Sequence, residues 1–252
     1  MNFGVPAQIA GVDGCKAGWI AVTATLESFG KPEVKVFTSV AALIAELAPK
    51  SLIAIDMPIG LPERAIRGGR EPDWAARQFL GRQRASIFPV PSRRTVYACA
   101  NGYPPLCIIA QDTSDPPRKP SRQIFGILHR IRQVDEILRQ QPELGERVFE
   151  VHPEVSFQVI NSDEPLPERK KVKGRINPNG MQLRKKLLEK EAFPARSWIR
   201  LHRAGPAWMT FTMLARAPGA PSEFYCEKSG CSLGRFQWTR RDWSRRSGLK
   251  AS

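Results

Sequence analysis

A chain of 252 residues, 42% hydrophobic and 25% charged, is long enough to bury a full core as one large domain or two small ones. It holds no apolar run long enough to span a bilayer and no charged-then-apolar leader, so a soluble cytoplasmic protein is expected. Five cysteines with no CxxC pair argue against structural zinc and a disulfide framework, and the net charge of +15 points toward polyanions. That charge is uneven, because nine Lys/Arg against three Asp/Glu between residues 203 and 252 place +6 of it in the final fifth.

In chain order, "QIAGVDG" predicts a short buried strand that ends at an Asp-Gly turn. "GWIAVTATLES" and "PEVKVFTSV" predict two more, joined by short links as an antiparallel meander. "SVAALIAELAP" has helical spacing with Ser39 placed as its cap. "SLIAIDMPIGLP" reads as a buried strand with Asp56 at its exit. Residues 63–120 read as an irregular insertion over the sheet, with one helix in "EPDWAARQFLGR" and loops at "FPVPSRR" and "DTSDPPRKPS". "SRQIFGILHRIRQVDEILRQQ" predicts one amphipathic helix with Ile124, Ile127, Leu128, Ile131, Val134 and Leu138 on a single face. "RVFEVHPEVSF" predicts a strand containing Glu150 and stopped by Pro153; "RKKVKGR" predicts a basic loop and "GMQLRKKLLEKE" a basic helix.

Three carboxylates therefore sit within or at the ends of apolar strands: Asp13, Asp56 and Glu150. One such residue is commonly a turn or cap. Three that converge repel one another, and are stable together in ionised form only beside a cation. Hard oxygen ligands of this kind suit Mg²⁺ or Mn²⁺, which can activate water for phosphodiester cleavage.

The segments "GVDGCKAGW", "IAIDMPIGLP", "GGREPDWAARQFLGRQRASIFPVPSR", "RQVDEIL" and "FEVHPEVSF" resemble the successive motifs of the DUF429 family of predicted ribonuclease H-like nucleases, from about Ile9 to about Glu189. The resemblance implies an α/β ribonuclease H-like fold over residues 7–200: a mixed five-stranded sheet, its first three strands antiparallel, flanked by helices. It implies metal ligation by Asp13, Asp56 and Glu150 at strands one, four and five, with Glu154 as a further ligand or supporting acid. His152 is a candidate proton shuttle or a structural histidine. Arg82, Arg84, Arg93 and Arg94 form one candidate phosphate-contacting group, and Lys170, Lys171, Lys173 and Arg175 a second; solvated charged loops are the alternative for both. No aromatic residue interleaves with the basic loop, so no platform for stacking bases is expected.

The expected function is metal-dependent phosphodiester cleavage of nucleic acid. Two alternatives stay open: nucleotide binding or phosphotransfer of the actin-like type, and nucleic-acid binding without catalysis. The actin-like type requires two copies of the domain, and one is visible. Substrate and oligomeric state are not legible.

Proteins resembling the family usually finish with a helix patterned D-D-x-x-D-A-x-A-x-x-W, which carries a further ligand, and no such pattern follows Glu191. Trp208-Met209-Thr210 back-translates to TGG ATG ACN, and reading from the third base of Ala207 gives NTG, GAT, GAC, which encodes Asp-Asp. The same frame permits every other fixed position, with the tryptophan codon spanning Pro218 and Gly219. A frameshift between about residues 189 and 207 is therefore expected, which makes residues 203–252 a non-native or disordered tail and leaves this chain without its last ligand. Resequencing is expected to reveal the shift; an intact frame aligned with homologous coding DNA would refute it.

Overall fold

The computed structural model describes residues 8–25, 32–172 and 174–190, together with two short strands, Ser222–Phe224 and Phe236–Trp238, that pair antiparallel. The rest of the segment where the frameshift is placed lies outside the described residues.

The core of the structure is one five-stranded sheet in the order β3-β2-β1-β4-β5. Its strands are β1 (Ile9–Cys15), β2 (Gly18–Ala24), β3 (Glu33–Phe37), β4 (Leu52–Ile55) and β5 (Val148–Glu150). β1–β2 and β2–β3 are antiparallel, as the short links require. β4 returns parallel to β1 and β5 parallel to β4, with Val12 opposite Ile55 and Ile55 opposite Glu150. The crossover between β3 and β4 is α1 (Val40–Glu46), where the Ser39 hydroxyl accepts the Ala42 N–H at 3.1 Å as predicted.

Strand alternation divides the apolar residues between two layers. Ala10, Val12, Trp19, Ala21, Ile53 and Ile55 face one side with α1 and with Leu128, Ile131 and Val134 of α6 (Leu128–Gln140). Ile9, Ile20, Val22 and Ala24 face the other, against Phe157 and Ile160 of α7 (Pro153–Ile160) and Leu188 of α8 (Pro178–Lys190). The Trp19 indole N–H donates to Gln133 Oε1 at 2.8 Å, tying β2 to α6.

Residues 63–120 are more helical than expected. Besides α2 (Glu71–Leu80) they form α3 (Arg93–Tyr97) and α4 (Tyr103–Asp112), and Val90, Val96 and Leu106 join the first core layer. α4 escapes periodicity because Pro104 and Pro105 open it, at positions where a helix tolerates the missing N–H. The predicted amphipathic helix is broken: α5 (Arg122–Phe125) is capped at Gly126 before α6 begins, although Ile124, Leu128, Ile131 and Val134 are buried as foreseen. Pro153 starts α7 as well as ending the strand segment, and the basic loop closes as a hairpin of Lys171–Val172 against Arg175–Ile176. Leu128, fully buried beneath the sheet, is expected to cost about 2–5 kcal/mol when replaced by alanine. An unchanged urea midpoint in that variant would contradict the packing described.

Candidate functional site

β1 and β4 stop side by side. Val12 and Ile55 are the last registered pair, and the Asp56 N–H donates to the Val12 carbonyl at 3.0 Å. Asp13 and Asp56 are therefore adjacent, and by alternation they share the face of Ile9 and Ala54, toward α7 and α8. Asp13 is 8% exposed, and its Oδ1 accepts the Gly14 N–H at 2.6 Å. Burial pushes the Asp13 carboxyl up to about 6, opposed by that N–H and by the charges of Lys170 and Arg130. Asp56 is surrounded by protein yet retains partial access to solvent. Burial raises its pKa well above the usual carboxylate range, the Asp13 charge raises it further, and Lys170 offsets part of the rise.

Arg130 of α6 crosses the strand end over Gly14, so closely that a side chain there would collide with it, and its Nη2 donates to the Cys15 carbonyl at 2.5 Å. Gly14 is thus required by close approach rather than by turn geometry.

The other two carboxylates are each held by a dedicated arginine. Glu150 lies opposite Ile55 and by register belongs to the other face from Asp56. It accepts the Ile59 N–H at 2.8 Å and both terminal nitrogens of buried Arg70, at 2.9 and 2.7 Å; Arg70 also donates to Asp73 at 2.6 Å. Glu154, in the first turn of α7, is 7% exposed and pairs with Arg184 of α8 through Nη2 and through Nε at 3.2 Å. Arg184 is 0% exposed and also donates to the carbonyls of Gly180 at 2.8 Å and Glu168 at 3.1 Å.

The basic residues separate by their partners. Arg93 bonds to Asp135 at 3.1 Å and to Glu63 at 2.5 Å, and Arg94 pairs with Asp112 at 2.8 Å, so both serve ion pairs within the fold. Arg82 and Arg84 are exposed and, with Arg169, line an open groove of about 520 Å³. Lys171 and Arg175 are exposed on the hairpin; Lys173 lies outside the described residues. Lys170 is half-buried and acts electrostatically on Glu154, Asp56 and Asp13, with burial lowering its pKa. His152 caps no helix N–H with its side chain; its Nδ1 has no partner among the described residues, and burial lowers its pKa to about 4, so it is neutral at pH 7.

Among the described residues no group of three His, Cys, Asp or Glu side chains is arranged to enclose a metal ion. A Mg²⁺ ion nevertheless keeps several waters and needs only one or two protein carboxylates. Asp13 and Asp56, adjacent and short of positive charge, fit that requirement, with Glu154 behind them.

Arg70, Arg130 and Arg184 were missed in the sequence. Arg184 had a signal, since it falls between Met181 and Leu188 at helical spacing and so lies on the buried stripe of α8.

Sheet order and strand directions are those of the ribonuclease H-like class, a mixed sheet with helices on both faces and acids at the ends of its first and fourth strands. The chain belongs to the DUF429 family, described as a protein of unknown function, whose family model matches residues 11–215. No curated protein and no solved structure matches the chain.

Asp13 titrates higher in the folded chain, at about 6 against an ordinary 3.8, so its ionisation opposes folding. That cost is absent below about pH 4 and reaches roughly 2–3 kcal/mol above pH 6. In EDTA, Asp13→Asn is expected to melt higher than the parent at pH 7.5, with the gap closing by pH 4. Parallel melting curves across that range would show that Asp13 is not in the environment described.

Proposed function

We propose that the protein is a metal-dependent phosphodiesterase acting on nucleic acid. The observation that supports this most strongly is the pair Asp13 and Asp56, adjacent at the ends of parallel neighbours and under-supplied with positive charge. Mg²⁺ or Mn²⁺ held there would polarise a phosphodiester oxygen and acidify a water.

The chain's own residues would do the rest. Asp13 and Asp56 would hold the ion through carboxylate oxygens, their spacing set by the β1–β4 ladder. Arg184 restricts Glu154 to one orientation, facing the pair rather than solvent. Arg82, Arg84, Arg169, Lys171 and Arg175, exposed around the site's outer edge, suit the phosphates of a polyanion. Neutral His152 could accept a proton, but a pKa near 4 makes it a weak base at neutral pH.

The missing final aspartate makes this chain impaired on the same reading, because losing one carboxylate weakens both the hold on the ion and its orientation. Labelled single- and double-stranded DNA and RNA, incubated with the chain and with a frame-restored version in Mg²⁺ or Mn²⁺, should be cleaved faster by the restored protein. Asp13→Asn in that protein is expected to reduce cleavage by at least about 10²-fold. Undiminished metal-dependent cleavage would remove the assigned site. Salt-sensitive binding without cleavage or metal requirement would instead favour a non-catalytic binder.

A further inference from the structure

Lys170 does not belong with the exposed lysines and arginines that surround it in sequence. Lys171 and Arg175 point to solvent from the hairpin, whereas Lys170 is half-buried and directs its charge at Asp13, Asp56 and Glu154. Its backbone is fixed on several sides. The Leu166 carbonyl accepts Gln83 Nε2 at 2.8 Å, and the Glu168 carbonyl accepts Arg184 Nη1 at 3.1 Å. The Lys170 carbonyl accepts the Asn177 N–H at 2.9 Å, while Asn177 Nδ2 reaches the Arg169 carbonyl at 3.0 Å. Gly180, in the first turn of α8, sits so tightly under the Arg169 carbonyl that a side chain there would collide with it. A strap pinned at this many points delivers its lysine to one place.

The charges around that place explain what the lysine does. Glu150 and Glu154 are each held by their own arginine, Arg70 and Arg184. Asp13 and Asp56 remain, and the cations acting on them are Arg130, beside Asp13 only, and Lys170, which acts on both. Two carboxylates thus meet two tethered cations, and a divalent ion must enter a cluster whose formal charge is already balanced.

We propose that Lys170 is a built-in counterion of the Asp13–Asp56 pair that sets, and holds down, the affinity of this site for divalent cations. It keeps the two buried carboxylates together when no ion is bound, and it competes electrostatically with an ion that is. Lys170 is thus a tuning residue of the carboxylate site rather than a member of the outer phosphate-contacting surface. The inference rests on the metal-site reading above.

Mn²⁺ titration of the full chain, followed by the electron paramagnetic resonance signal of free aqueous Mn²⁺, tests it without any activity assay. Lys170→Met keeps the length of the side chain and removes its charge; it is expected to bind Mn²⁺ at least about 10-fold more tightly than the parent. Lys170→Arg, which keeps the charge, should stay within about 3-fold of the parent, and Asp13→Asn should abolish binding in either background. Equal or weaker binding by Lys170→Met, with Asp13→Asn still abolishing it, overturns the role of Lys170 and leaves the metal site standing. No Mn²⁺ binding by any variant up to millimolar concentration overturns both. Melting temperatures of the variants in EDTA establish that each is folded at the titration temperature, and Lys170→Arg carries the test of charge if Lys170→Met unfolds.

Discussion

Two aspartates at the ends of neighbouring parallel strands repel each other, and the surroundings of the site respond to that repulsion. The β1–β4 ladder leaves them no freedom to separate, because the backbone bond from Asp56 to Val12 sets their spacing. Burial compounds the cost by removing the water that would otherwise screen them. Positive charge must therefore be brought in from elsewhere, and it arrives from several directions: Arg130 from α6 and Lys170 from the strap before the hairpin. Gly14 is small so that Arg130 can cross the strand end, and Gly180 is small so that the strap can lie against α8. Two glycines distant in sequence thus serve one electrostatic requirement.

The arginines on Glu150 and Glu154 illustrate a different use of charge. Arg70 joins Glu150 to Asp73 and donates to the Ile59 carbonyl, so it ties β5, the loop after β4 and the start of α2 into one unit. Arg184 joins α7, α8 and the strap in the same way. A buried ion pair of this kind adds little net stability, but removing one partner strands the other charge at a cost of several kcal/mol. These pairs therefore act chiefly as locators: they fix which carboxylates remain to face an incoming cation.

Much of the sheet was legible because its strands are apolar and sharply ended, and Asp13 and Asp56 stood out as acids closing apolar runs. Glu150 satisfied the same pattern and yet belongs to the other face. A strand of three residues carries too little alternation to reveal its register, and a shift of one residue reverses every side chain. The helix opened by Pro104 and Pro105 was hidden because prolines mark loops as often as first turns, and Gly126 interrupted a periodic run that gave no other sign of a break. Lys170 was grouped with Lys171 and Arg175 by composition. What sets it apart is the fold of the strap, which depends on Arg184 and Asn177 contacts that no local pattern encodes.

The two faces of the sheet are unequal. Among the described residues, the layer with α1 and α6 buries 22 core side chains, and the layer with α7 and α8 buries eight beside a cluster of charges. Local opening free energy follows buried apolar contact, so the α7–α8 side should detach while the rest of the sheet remains folded. The carboxylate site is therefore the last part of this structure to assemble and the first to come apart. Any cation that bridges Asp13 and Asp56 would act as a clasp for that weaker half, lending it a stability that its small core does not provide.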